Sequence, residues 1–452
     1  MSDKISESDV LDQLKAVQDP DLNRDIVSLG FVKNVKVCVP TVSFDIELTT
    51  PACPVKDRLK AEAEAAVRQL PGVDTVNVNM TSRVRSAQAM AGVELEGVKN
   101  IVAVASGKGG VGKSTVAANL AVALAQTGAA VGLCDADVYG PSQPTMFGVE
   151  AQPRADENRR LLPIESHGVK LMSMGFLATK ETPVIWRGPM AAKLIQQFLA
   201  GVAWGELDYL IVDLPPGTGD VQLTLTQSVP LTGAVIVTTP QNVALEIAEK
   251  GLRMFQQVNV PVLGVVENMS YFKCPHCDER TPVFSEGGGE RVSRQLGLPF
   301  FGGIPLDPEV VVSGDAGEPI LVSRPESDVS VAYREITQRI AASVSVVNFE
   351  SASELRPKQI EEKEQALQIV WSDDRETDYP FAFLRNNCPC ALCVDEWTGK
   401  RKFVSLLLPP DFRPLAINPV GNYAIQISWS DGHNTGVFSF RRLQELAKSL
   451  EK

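Results

Sequence analysis

Gly107-Lys108-Gly109-Gly110-Val111-Gly112-Lys113-Ser114-Thr115 is the stretch that decides the fold. It follows the apolar run Ile101–Ala105 and precedes the alanine-rich periodic segment 116–126, so it reads as a strand, a loop and a helix start. Its spacing fills every position of G-x-x-x-x-G-K-S/T, the P-loop pattern. The glycines let backbone N–H groups turn inward as an anion nest, and the helix N-terminus adds partial positive charge. Lys113 then reaches the β/γ-phosphates of ATP, and the Ser114 hydroxyl can ligate Mg²⁺. Residues 107 to 115 are therefore the expected nucleotide-binding segment. A second lysine, Lys108, stands where the pattern allows any residue.

Apolar runs recur on either side of helical segments, at Ile101–Ala105, Val131–Cys134, Tyr209–Val212, Ala234–Thr238 and Val262–Val266. Their alternation predicts an α/β domain, placed at about residues 98–346, with a mainly parallel sheet covered by helices on both faces. Ligand belongs at the carboxyl ends of such strands. Acidic residues stand there: Leu133-Cys134-Asp135-Ala136-Asp137 closes one strand, and Leu210-Ile211-Val212-Asp213-Leu214-Pro215-Pro216-Gly217 closes another. Asp213 is the candidate to hold Mg²⁺ through water, and Gly217 is placed to offer its N–H to a γ-phosphate. A lone Asp after a strand is commonly a turn or cap residue. Two such ends beside a complete P-loop favour catalysis by charge and position, with Mg²⁺, Lys113 and Lys108 offsetting the charge of the transferring phosphoryl group.

The additional Lys108 resembles the deviant Walker A loop of the MinD/ParA/nitrogenase-iron-protein class. That resemblance implies a face-to-face homodimer over nucleotide with Lys108 acting across the interface, and gives Asp137 the role of orienting the attacking water. Three further stretches, 135–142 (Asp-Ala-Asp-Val-Tyr-Gly-Pro-Ser), 213–220 (Asp-Leu-Pro-Pro-Gly-Thr-Gly-Asp) and 266–270 (Val-Glu-Asn-Met-Ser), resemble the Mrp/ApbC/Nbp35 branch over essentially the whole central domain. The branch comprises iron–sulfur cluster carrier and scaffold ATPases, and the likeness implies that Asn268 contacts the nucleotide base.

Four residues past Ser270 comes Cys274-Pro275-His276-Cys277. C-x-x-C fits a redox dithiol, half a zinc knuckle or half a cluster site. A thioredoxin-type role is disfavoured because the motif does not open a helix after the first strand of a βαβ unit. Two thiolates are half of what a [4Fe–4S] cluster or a tetrahedral zinc needs, and a symmetric dimer would complete the set. The family resemblance favours iron–sulfur over zinc, with His276 a bystander. ATP binding would then reshape the dimer interface and change how firmly the cluster is held.

The chain before this domain, residues 1–85, predicts a small α+β unit: a helix over 8–17, strands over 32–39 and 42–49, a helix over 55–70 and a strand over 73–80. Cys53, in Thr49-Thr50-Pro51-Ala52-Cys53-Pro54, falls at a helix N-terminus, where a thiolate would be stabilised. Asp19-Pro20-Asp21, Asp25-Ile26-Val27-Ser28-Leu29-Gly30 and this cysteine loop resemble the SufT/MIP-type domain of iron–sulfur assembly factors, which implies a functional thiol. A polar connector, 82–99, follows.

At the other end, 350–365 is charged, contains Pro357 and reads as a linker. Residues 366–452 concentrate aromatics and predict a small β-rich domain, with strands at 367–371, 403–408 and 424–429. Its centre is Cys388-Pro389-Cys390-Ala391-Leu392-Cys393, and Asp431-Gly432-His433 carries the domain's only histidine. Cys388, Cys390, Cys393 and His433 make a Cys₃His zinc site, with iron–sulfur the second reading. The patterns 385–390 and 429–433 resemble the N-terminal zinc domain of γ-butyrobetaine hydroxylase-like proteins; no oxygenase barrel follows, so hydroxylation is not implied. The three-domain order resembles that of chloroplast Mrp relatives serving photosystem I, whereas the full Cys274/Cys277 pair resembles the bacterial form.

Composition bounds these readings. The chain has 452 residues, of which 44% are apolar and 22% charged, a globular balance that predicts two to four domains. A net charge of −12 without a basic block argues against a nucleic-acid partner. Lacking an 18-residue apolar run or a leader-like N-terminus, the chain is expected in the bacterial cytoplasm, with the plastid stroma, as a processed form, second. Eight cysteines, five of them in two tight clusters, point to metal in a reducing compartment. The expected function is a homodimeric ATPase that assembles [4Fe–4S] clusters or transfers them to apo-proteins with other assembly factors. The alternatives are a MinD/ParA-like positioning ATPase and a nucleotide-gated electron donor resembling the nitrogenase iron protein. An apolar stripe, Leu443, Leu446, Ala447 and Leu450, is the only anchor-like feature; such stripes usually pack on their own domain, so no stable membrane association is expected.

Overall fold

The computed structural model describes residues 5–86, 95–138, 140–176, 195, 198–217, 222, 226, 229–241, 250–256, 258, 260–285, 287–353, 357–390, 392–394, 401–402, 408–409, 411–420 and 424–450. The chain divides into two compact units, one ending at Asn348 and one beginning at Phe349. Trp397, most of the expected strand 403–408, Tyr139 and the stretch 218–220 lie outside the described residues.

In the first unit, Ser6 opens the helix Glu7–Leu14 with a reciprocal capping box to Asp9. Val32–Cys38 and Thr41–Leu48 pair antiparallel, and the helix Lys56–Val67 crosses over to bring Thr75–Ser82 parallel to the second of them. Along Thr41–Leu48 every second residue (Val42, Phe44, Ile46, Leu48) is buried, the period-2 pattern of a strand with one covered face. These elements match the expected ones to within a few residues.

Among the described residues the central sheet has eight strands in the order Phe300–Gly303, Val262–Glu267, Gly233–Thr238, Ile101–Ala105, Tyr209–Asp213, Val131–Asp135, Val169–Ser173 and Ile164–Ser166. All neighbours are parallel except the last pair, Val169–Ser173 and Ile164–Ser166. The middle strands are buried at every position, which is why they read as continuous apolar runs. Register does the functional work, since Asp213 lies opposite both Val104 and Asp135 and so two carboxylates end side by side next to the loop after Ala105.

The N-terminal α+β unit docks on this domain. Ala52 and Val84 belong to the same apolar core as the central strands. The buried Tyr209 hydroxyl donates to Thr50 Oγ1 at 3.0 Å, and Asn100 and Asn348 both donate to the Arg85 carbonyl, at 3.0 and 3.2 Å.

The expected linker, 350–365, is a correction. The helix Asp328–Ser353 runs past the expected end at residue 346, and Pro357–Glu362 is a strand paired with Ala366–Trp371. It lies at the edge of its three-stranded sheet, where proline and charge are tolerated and discourage further pairing, so it looked like a connector in one dimension. A second antiparallel sheet pairs Pro414–Val420, Ala424–Trp429 and Gly436–Ser439. Leu443 and Leu446 are buried in the same core as Trp371, Tyr379 and Trp429, with Ala447 and Leu450 packed against it. The terminal stripe is therefore part of this unit's own core. Among the described residues no helix is long and apolar enough to cross a membrane.

Tyr209→Phe removes one buried hydrogen bond and no apolar volume. It is expected to lower stability by about 1 kcal/mol in thermal unfolding while leaving both elements folded.

Candidate nucleotide and metal sites

The loop between Ile101–Ala105 and the helix Lys113–Gln126 holds Gly110 and Gly112 at φ 79° and 78°, a left-handed conformation that glycine adopts without strain. At Gly112 a Cβ would also run into the Asn268 amide. Asn268 is buried and donates from Nδ2 to the Val111 carbonyl at 2.9 Å, bracing the loop from behind. Ser106 Oγ donates to the Lys108 carbonyl at 3.0 Å, and Gly217 N–H donates to the Ser106 carbonyl at 3.0 Å. Lys108 is half-buried at the front of the loop.

Lys113 is only 6% exposed and its ammonium pairs with the fully buried Asp213 carboxylate, with Ser114 Oγ 3.3 Å away. The pair keeps both charges compensated in an apolar surrounding where either alone would be costly. Gln143 Nε2 donates to the second Asp213 oxygen at 2.9 Å.

Asp135, the neighbour of Asp213 across the sheet, organises the loop that follows it. One of its oxygens accepts from Ser142 N, Gln143 N and Ser173 Oγ at 3.1, 3.1 and 2.9 Å, and the other from Asp137 N at 3.2 Å. Burial, and then the nearby Asp213 charge, push its carboxyl up to about 7. Asp137 is buried in the same loop and accepts from Gly140 N at 3.2 Å.

Cys274 and Cys277 sit on the turn of a short hairpin, Phe272–Lys273 with Arg280–Thr281. Cys274 N donates to the Glu279 carbonyl and Asp278 N to the Cys274 carbonyl, each at 3.0 Å, with Asp278 at φ 58° closing the turn. Cys274 is half-buried and Cys277 exposed. The backbone N–H groups of His276 and then Cys277 hold the Cys274 thiol below its ordinary value.

Cys388, Cys390, Cys393 and His433 come together in the second unit with all four ligand atoms within 4.8 Å of one another. His433 Nε2 lies 3.2, 3.4 and 3.8 Å from the three sulfurs. A tetrahedral ion with Zn–S of about 2.3 Å and Zn–N of about 2.0 Å separates its N and S ligands by roughly 3.5 Å, so the donor set fits such an ion. Burial, and then Arg385, lower the His433 pKa and so favour the neutral imidazole a metal needs. Arg385 is itself buried; it donates to Asp431 Oδ2 at 2.7 Å and to Cys393 Sγ at 3.4 Å, while Asp431 accepts from His433 N at 3.0 Å. That outer layer fixes two of the four ligands.

Cys53 departs from expectation. It precedes Lys56–Val67, but burial pushes its thiol up to about 11, the lowering hydrogen bond from Val55 being too weak to offset this, and Asp19 and Asp21 add to the rise. The structure gives no stabilised thiolate there. The residues that the motifs did not single out are Gln143, Ser173 and Arg385, together with the organising role of Asp135. Gln143 follows Ser142 directly and Arg385 stands three residues before Cys388, yet only folding shows what they touch.

A parallel sheet with this loop at the end of a central strand, and acids in register beside it, defines a P-loop NTPase. The NUBPL iron-transfer P-loop NTPase family matches residues 97–341, iron–sulfur cluster assembly protein domains match 7–79, and gamma-butyrobetaine hydroxylase-like N-terminal domains match 358–444. The iron–sulfur cluster carrier protein of Synechocystis is 52% identical over 343 residues, covering 75% of this chain and 97% of that protein. The chloroplastic Fe-S cluster assembly factor HCF101 of Arabidopsis thaliana is 42% identical over 455 residues, covering 99% of this chain and 84% of that one. A solved nucleotide-binding protein from Archaeoglobus fulgidus, in complex with ADP, is 43% identical at a TM-score of 0.46, covering 52% of this chain and 92% of its own. The chain belongs to the iron–sulfur cluster carrier family of P-loop NTPases, in the three-domain arrangement of the HCF101 type.

Gly112→Ala is expected to lower the melting temperature measurably, because φ 78° and the Asn268 contact both penalise a Cβ; Gly109→Ala, with open space around it, is expected to be near neutral. The raised Asp135 carboxyl carries a proton in the folded chain that the unfolded chain releases above about pH 4. Its contribution to stability is therefore full below about pH 4 and lost as pH rises through about 7. Asp135→Asn is expected to remove that part of the stability slope in denaturation curves measured across the window.

Proposed function

We propose that the chain binds and hydrolyses ATP with Mg²⁺ as a homodimer, and that it assembles a [4Fe–4S] cluster and passes it to apo-proteins. The observation that carries this reading is the pair Cys274 and Cys277, two thiols presented on an ordered turn with one of them already activated by backbone N–H groups. Two copies would supply the four thiolates that a cubane cargo takes, and an accessible turn suits a cluster that must leave again. The family, and the names of its members, support that cargo.

In this reading the P-loop N–H groups of residues 107–115 cradle the phosphates, and Lys113 leaves Asp213 to reach them. Ser114 and Asp213 are the residues that would hold Mg²⁺, which supplies charge compensation to the phosphates when bound. Asp137 orients the attacking water, Lys108 reaches across to the partner's nucleotide, Asn268 stands by the base, and Gly217 N–H exchanges the Ser106 carbonyl for a phosphate oxygen. The Cys₃His site holds Zn²⁺ and ties the second unit together. The domains are 1–85, 98–346 and a third that starts at the strand 357–362 rather than at 366. Among compartments, the bacterial cytoplasm suits the full cysteine pair, and the plastid stroma is second.

Oxygen-free reconstitution with iron and sulfide tests the cargo site. The parent protein is expected to hold about four iron atoms per dimer, and Cys274→Ala/Cys277→Ala to lose them while keeping its zinc. Unchanged iron in the double variant would overturn the assignment. For turnover, Lys113→Ala is expected to abolish nucleotide binding, and Asp137→Ala to keep it with hydrolysis slowed roughly 100-fold; hydrolysis at the parent's rate would remove Asp137 from the mechanism.

A further inference from the structure

Gln143 is completely buried, and three donated hydrogen bonds fix its place. Its side-chain N–H groups donate to Asp213 Oδ2 at 2.9 Å and to the Ser114 carbonyl at 3.0 Å; its backbone N–H donates to Asp135 Oδ2 at 3.1 Å, where Ser173 Oγ also donates, at 2.9 Å. Both side-chain partners are acceptors, so the amide has one orientation, and Nε2 faces them. Its Oε1 is buried with no hydrogen-bond partner.

We propose that Gln143 is a positioning residue that couples Mg²⁺ occupancy at Asp213 to the loop carrying Asp137. The inference rests on the nucleotide-binding reading above. Asp213 has two donors to its carboxylate, Lys113 on Oδ1 and Gln143 on Oδ2. With Lys113 drawn to the phosphates, Asp213 Oδ1 would be free to help hold Mg²⁺, while Gln143 would keep Oδ2 and so the orientation of the carboxylate. The same residue is the start of the helix Gln143–Met146, and its backbone N–H is held by Asp135, which also holds Asp137 N. A shift of the Asp213 carboxylate is thereby passed to Asp135 and Asp137 through the Gln143 side chain, a route separate from the backbone bond of Ala136 N–H to the Asp213 carbonyl. Lys113 does not have this connection, because its bonds run to Asp213 and Ser114.

The test is nucleotide binding to the full-length protein, followed with a fluorescent ATP analogue as Mg²⁺ is titrated from EDTA upward, together with hydrolysis and a melting curve. Gln143→Met fills a similar volume without the donors, and Gln143→Leu provides a second packing solution. In a folded variant, binding in EDTA is expected within twofold of the parent. The half-saturating Mg²⁺ concentration is expected to rise about 10-fold and kcat to fall about 10-fold, the size of effect seen when outer-layer partners of metal ligands are removed. Parental Mg²⁺ dependence in either folded variant overturns the proposal. So does a loss of binding that is as large in EDTA as in Mg²⁺, since that is the signature of a merely structural role. A parent that binds no nucleotide at any Mg²⁺ concentration would sink the nucleotide-binding reading itself, a result distinct from a variant that merely matches its parent.

Discussion

The contact on which the rest depends is the buried pair of Lys113 and Asp213. A lysine ammonium and a carboxylate, both nearly inaccessible to water, exist side by side only because each compensates the other. The pair joins the first turn of the P-loop helix to the end of the strand Tyr209–Asp213, about a hundred residues further along the chain. It exists because the parallel register sets Asp213 beside Val104, directly where the loop departs. Around it the second carboxylate, Asp135, and the amide of Gln143 complete a closed network that has no bulk water to fall back on.

That network also explains the division of labour among the acids. Asp213 faces the lysine and the Gln143 amide. Asp135 faces inward, is pushed toward its neutral form by burial, and spends its oxygens on backbone N–H groups. Asp137 sits in the loop so fixed. Three carboxylates at the ends of neighbouring strands thus have different environments, the condition under which protein sites can separate their protonation states.

The two cysteine groups contrast in the same physical terms. The Cys274/Cys277 turn is presented to solvent, carries backbone N–H groups aimed at sulfur, and has two ligands. The Cys388/Cys390/Cys393/His433 group has a full tetrahedral complement, lies partly within an apolar core and is backed by a buried arginine. An incomplete, accessible set suits a cargo that comes and goes; a complete, enclosed set suits an ion that stays.

Much of this was legible in one dimension. The P-loop, the strand-end aspartates, the parallel sheet and the cysteine triplet with its histidine are written in local patterns, because anion nests, strands covered on both faces and metal ligation all demand particular residue types at short spacing. The charged segment 357–362 misread as a linker, since an edge strand wears the same residues as a connector. At Cys53 the sequence shows the helix start but not the burial that raises the thiol. What only tertiary structure decided are the pairings between distant segments: Lys113 with Asp213, Gln143 with Asp213 and the Ser114 carbonyl, Arg385 with Cys393 and Asp431, and Asn268 behind Gly112. Residue types at fixed offsets are set by local chemistry, whereas which side chain meets which across a hundred residues is set by strand order, register and packing, and those belong to the folded chain as a whole.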